Sequence, residues 1–139
     1  MISLIFSGSL VQAICVKSDR ANLRSGPSTK NQITWEVYQY MPLIEIKKQG
    51  DWIQVKDFEG DRHWIFKKLV TSAYKCAVVK VDKANLRTGP GTQHKKPADL
   101  PVAEKYMTFQ YLRSQGQWAQ VMDSYKDKYW VFRKLIWVY

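Results

Sequence analysis

Two stretches of this chain spell nearly the same thing. Residues 21–26 read Ala-Asn-Leu-Arg-Ser-Gly and residues 84–89 read Ala-Asn-Leu-Arg-Thr-Gly, each followed by proline (Pro27, Pro90), at an offset of 63 positions. Gln49-Gly50-Asp51-Trp52-Ile53-Gln54-Val55 returns 66 positions on as Gln115-Gly116-Gln117-Trp118-Ala119-Gln120-Val121, and Trp64 to Val70 returns at the same offset as Trp130 to Ile136. Three matched blocks in one order mean a unit of about 60 residues that occurs twice. A solenoid needs at least about three stacked repeats to bury a continuous core. Each copy must therefore close on itself. The offset grows by three, which points to extra residues in the second copy between Ala98 and Tyr111.

A closed unit of about 60 residues lies near the lower limit for a self-sufficient core, so it has to be rich in large apolar side chains. Trp, Tyr and Phe supply 14% of the 139 residues, and each ring can bury roughly 150–250 Å². Within the first copy, Leu43 to Ile46, Trp52 to Val55 and His63 to Phe66 are β-branched and aromatic runs parted by the turn-forming Gln49-Gly50-Asp51 and Asp57 to Asp61. Phe109 to Leu112, Trp118 to Val121 and Tyr129 to Phe132 repeat that course in the second. No stretch sustains a 3.6-residue apolar period. The expected class is all-β, and a small barrel is the economical architecture because closure removes exposed strand edges.

The run Asn-Leu-Arg-Ser-Gly-Pro-Ser, a following Trp35-Glu36-Val37-Tyr38, the Gly50-Asp51-Trp52 turn into a strand and the late Trp64-Ile65 before Leu69 together resemble a bacterial SH3 domain. The resemblance covers Cys15 to Val70 and again Cys76 to Ile136. It implies two tandem small SH3-like β-barrels, over residues 14–74 and 75–139, in which Asn-Leu-Arg-x-Gly-Pro opens a long first loop. There glycine would supply a positive φ and proline would fix the next one. The second copy departs in its middle, where Trp35, Val37 and Tyr38 align with Ala98, Leu100 and Pro101.

Residues 1–13 differ from the rest. Ile2 to Ala13 carries no charged side chain and ends in Val11-Gln12-Ala13, like an apolar export segment with a small-residue cleavage site. The expectation is a signal peptide over 1–13 and a mature protein that is periplasmic or secreted. No other segment reaches the ~18 consecutive apolar residues of a transmembrane span. The formal net charge of +10 favours anionic partners, and on charge alone a cytoplasmic nucleic-acid binder is an alternative. The export segment argues against it, so no nucleic acid is expected.

Reactive side chains are scarce. Cys15, Cys76, His63 and His94 are the only thiols and imidazoles, and their spacing matches no zinc motif. No metal, cofactor or catalytic residue is expected, and no Ser-His-Asp grouping or phosphate loop emerges. In SH3-like barrels the first and last strands lie side by side. Cys15 at the start of the first strand and Cys76 just past the last one could then form a disulfide; two buried free thiols are the alternative. Its closed loop of 61 residues would add roughly 4 kcal/mol in the chain-entropy model.

What remains is binding. The resemblance implies an aromatic-lined groove for peptidoglycan peptides, or tethering to the envelope. Trp35, Tyr38, Tyr40, Trp52 and Trp64 are the candidates, since five rings within thirty residues exceed what one small core should hide. The expected partner is a peptidoglycan peptide or an envelope protein; a periplasmic scaffold subunit is the second reading.

Overall fold

The computed structural model describes residues 12–139. Most of the export segment expected over 1–13 falls outside the described residues. Each apolar or alternating run becomes a strand. The first unit comprises β1 (Gln12–Val16), β2 (Arg20–Arg24), β3 (Ile33–Tyr38), β4 (Pro42–Gln49), β5 (Trp52–Lys56), β6 (Arg62–Phe66) and β7 (Val70–Thr71). The second comprises β8 (Lys75–Val79), β9 (Lys83–Arg87), β10 (Val102–Glu104), β11 (Thr108–Gln115), β12 (Trp118–Met122), β13 (Lys128–Phe132) and β14 (Ile136–Val138). A 3₁₀ turn precedes β7 (Lys67–Leu69) and another precedes β14 (Arg133–Leu135).

Strand order is the same in both units: β3-β2-β6-β5-β4-β1-β7 and β10-β9-β13-β12-β11-β8-β14. All recorded pairings are antiparallel. The duplicated sequence therefore makes a duplicated, all-β, barrel-like unit. Tight hairpins with Gly50 (φ 59°) and Gly116 (φ 58°) join β4 to β5 and β11 to β12, where left-handed backbone suits glycine.

Three sequence expectations need correction. The Ala-Asn-Leu-Arg segment is a strand rather than a loop, because Ala21 and Leu23 alternate into the core while Arg20 and Arg24 point out. Gly26 and Gly89 do not have positive φ. They are needed for close approach instead: a Cβ on Gly26 would stand 2.6 Å from the Asn31 amide nitrogen. Finally, the extra residues of the second unit fall before Val102. Ala21 pairs with Val37 and Ala84 with Ala103, so Val37 and Tyr38 correspond to Ala103 and Glu104, not to Leu100 and Pro101. Tyr106 thereby takes the place of Tyr40. Both sit at a left-handed turn (φ 72° and 74°), with their N–H groups donating to Val16 and Val79 carbonyls.

The two units are docked, and β1 and β8 show why. In β1, Ile14 and Val16 enter the first core, which leaves Cys15 on the opposite face. In β8, Ala77 and Val79 enter the second core, while Cys76 and Val78 face the first unit. Val78, fully buried, is a member of the first unit's core, and Trp137 of β14 packs against it. A strand buried on both faces must be apolar throughout, which accounts for the unbroken Cys-Ala-Val-Val run. Burying one valine in this way contributes about 1.5–3 kcal/mol.

The disulfide joins Cys15 to Cys76 with Cα atoms 5.9 Å apart. It closes between the first strand of one unit and the first strand of the next, not between the first and last strands of a single barrel. Around it lie the rings of Tyr40 and Tyr74, edge to face at 5.9 Å. Farther along the contact, Tyr106 meets Trp35 (5.5 Å) and Phe58 (5.8 Å), and its hydroxyl donates to Glu59 Oε1 at 3.1 Å. Thr108 Oγ1 donates to the Gln39 carbonyl at 2.6 Å.

Candidate functional site

On β2 the outward residues Arg20, Asn22 and Arg24 form one wall of a surface groove of about 630 Å³. Its floor is aromatic. Trp52 opens β5 directly opposite Phe66 at the end of β6, with ring centroids 5.6 Å apart. Leu69 of the 3₁₀ turn and Pro27 of the β2–β3 loop complete the apolar lining. The loop is held by Arg24, whose Nη1 donates to the carbonyls of Thr29 (3.0 Å) and Asn31 (2.9 Å). The arginine of the repeated motif is thus a clamp, and Ser-Gly-Pro can turn tightly because Gly26 lets Asn31 fold against it.

The same groove recurs in the second unit, at about 560 Å³. Trp118 faces Phe132 across β12 and β13 with centroids 5.8 Å apart. Lys83, Asn85 and Arg87 replace Arg20, Asn22 and Arg24, and Pro90 and Leu135 replace Pro27 and Leu69. Arg87 Nη1 donates to the His94 carbonyl at 3.2 Å, while its buried Nε has no partner. One difference affects charge. Glu36 lines the first groove opposite Asn22, whereas Val102 stands opposite Asn85 in the second. The first rim carries both signs and the second only positive charge.

The five rings expected to share a groove are dispersed. Only Trp52 lines the Trp-Phe groove. Trp64 is buried beneath the Lys47 ammonium, 5.6 Å above its ring, as Trp130 lies beneath Arg113 at 5.0 Å. Trp35 packs at the junction of the units. Tyr38 is exposed beside Arg20 and Tyr40 is buried, and both line a third cavity of about 890 Å³ between the units. That cavity gathers Asp19, Asp99, Asp123 and Asp127 in an otherwise basic protein. Tyr129 donates to Asp99 Oδ2 at 2.7 Å. Burial, that hydrogen bond and the neighbouring carboxylates push its phenol well above the usual range. Phe66 and Phe132 are the groove-lining rings that sequence reasoning missed.

A hydroxyl–imidazole–carboxylate chain also forms, although sequence spacing gave no sign of it. Thr34 Oγ1 lies 2.7 Å from His63 Nδ1, and His63 Nε2 lies 2.8 Å from Asp57 Oδ2. Its job is visible in the turn between β5 and β6. Asp57 Oδ1 accepts from the Glu59 and Asp61 amides (2.9 and 3.0 Å), and Asp123 does the same for Tyr125 and Asp127 (3.0 and 2.9 Å). Tyr129 occupies the position of His63, opposite Val121 as His63 is opposite Val55. The chain clasps a turn that both units share. Among the described residues, no three His, Cys, Asp or Glu side chains group as a metal site, and no helix is long and apolar enough to cross a membrane.

Residues 17–71 match the family model for the bacterial SH3 domain. Among curated proteins, YrvJ of Bacillus subtilis (strain 168), named as a candidate N-acetylmuramoyl-L-alanine amidase, is 29% identical in an alignment 126 residues long that covers 84% of this chain. This chain spans only 21% of that relative. Among solved structures, an NlpC/P60 family protein from Bacillus cereus ATCC 10987 aligns over 92% of this chain and 56% of its own (14% identity, TM-score 0.43). NlpC1 from Trichomonas vaginalis aligns over 98% and 50% (10% identity, TM-score 0.39).

Proposed function

We propose, from the match of residues 17–71 to the bacterial SH3 domain family, that the chain is a non-catalytic binding module of the cell envelope, holding carboxylate-bearing peptides of peptidoglycan in its two Trp-Phe grooves. The observation that carries this reading is the recurrence of one construction: an aromatic floor, a proline wall and a cationic edge, at equivalent places in both units. Trp and Phe offer rigid apolar area to an extended peptide, and Arg20 and Lys83 offer partners to its carboxylates. The disulfide supports an oxidising location, in keeping with export through residues 1–13. The cell-wall name of the Bacillus subtilis relative points to the same polymer. The inter-unit cavity, with its four aspartates, has the wrong sign for such carboxylates.

Co-sedimentation with purified peptidoglycan sacculi tests the reading. The protein is expected in the pellet, with binding that weakens as salt screens the rim charges. The paired variant Arg20→Glu, Lys83→Glu, at two exposed positions, is expected to remain soluble and folded and to stay in the supernatant. Retention of that variant at wild-type levels would rule the grooves out.

A further inference from the structure

The duplication bears on the form of the ligand, and the inference drawn here rests on the peptide-binding reading above. We propose that both grooves engage one polymer at the same time, so that the chain recognises a repeating, matrix-borne array of anionic peptides and holds isolated peptides only weakly. Three observations carry this. First, the grooves are independent. The first is lined only by residues of the first unit and the second only by residues of the second, so docking the units covers neither. Second, they are alike: Trp52 with Phe66, Pro27 and Leu69 in one, Trp118 with Phe132, Pro90 and Leu135 in the other.

Third, their separation is fixed. Only Ser72, Ala73 and Tyr74 lie between β7 and β8. The Cys15–Cys76 bridge, Val78 in the first unit's core and the Tyr106 contacts with Trp35 and Phe58 lock the pair together. Two sites on a flexible tether lose effective concentration as the tether lengthens, and sites held at a set span do not. A rigid pair therefore gains most from a ligand whose own repeats are held in place, which a crosslinked wall provides and a soluble fragment does not.

The experiment compares intact sacculi with soluble monomeric peptide fragments released from the same sacculi by glycosidase digestion. It uses the full chain, Arg20→Glu, Lys83→Glu, and the paired variant. For wild type, calorimetry with fragments is expected to give two weak sites, the all-positive second groove the tighter, while half-saturation on sacculi comes at about 100-fold or more lower concentration. Either single variant is expected to lose one fragment site, leave the other unchanged, and lose about 100-fold or more on sacculi. Wild type and single variants that differ by only about twofold on sacculi, the statistical factor for two independent sites, would overturn simultaneous engagement and leave the peptide-binding reading standing. A wild-type chain that binds neither sacculi nor fragments would overturn both.

Discussion

The arginine of the duplicated motif shows how a residue that invites a ligand role can be explained by its own loop. Arg24 spends Nη1 on two carbonyls of the β2–β3 loop; lysine keeps the charge but carries it on a flexible stem, without the planar guanidinium that fixes the donating nitrogen in place. Arg24→Lys is expected to speed amide hydrogen exchange across residues 25–31 while leaving β5 and β6 protected. Tyr129 gives a prediction of a different kind. Its phenol has an ordinary value of 10.0 in the unfolded chain and a higher one in the fold, so above pH 10 the native state holds a proton that the unfolded state has lost. Stability is therefore full below that pH and falls as pH rises through it. Tyr129→Phe is expected to cost about 0.5–1.5 kcal/mol at pH 7 through the lost hydrogen bond and to flatten the alkaline decline in denaturant midpoints.

At the scale of elements, the β5–β6 and β12–β13 turns are one design with one conspicuous substitution. The left-handed position is Gly60 (φ 93°) in the first and Lys126 (φ 71°) in the second. A side chain there costs about 1 kcal/mol, so Lys126→Gly is expected to raise the unfolding midpoint in thermal denaturation. Strands such as Trp52–Lys56 and Trp118–Met122 were legible in the sequence because their alternation places Ile53, Val55, Ala119 and Val121 inward. The groove was only half legible. Nearness along the chain suggested a cluster of Trp35, Tyr38, Tyr40, Trp52 and Trp64. Cross-strand register decides otherwise: Trp52 stands opposite Phe66, and Trp64 stands opposite Gln54. The signal was present in the third repeated block, whose Phe66 and Phe132 match. Without the pairing of β5 with β6, nothing said which ring would face them.

For the whole molecule, the governing fact is that two small cores share a boundary. The sequence showed two units but not their docking, because an unbroken apolar strand such as β8 declares that both its faces are covered without naming what covers them. Dependence of one unit on the other follows. Val78→Ala, a change in the second unit's first strand, is expected to destabilise the first unit by about 1–3 kcal/mol, read as lost exchange protection at Ile14 and Leu43. The bridge has one more implication. By strand register, Cys15 is the counterpart of Val78, and Cys76 is the counterpart of Ala13. Two identical copies of the first unit could not be joined in this way, because the trailing copy would offer the Ala13 methyl group where Cys15 of the leading one needs sulfur. The halves are complements, like hook and eye, and neither can be exchanged for a second copy of its twin.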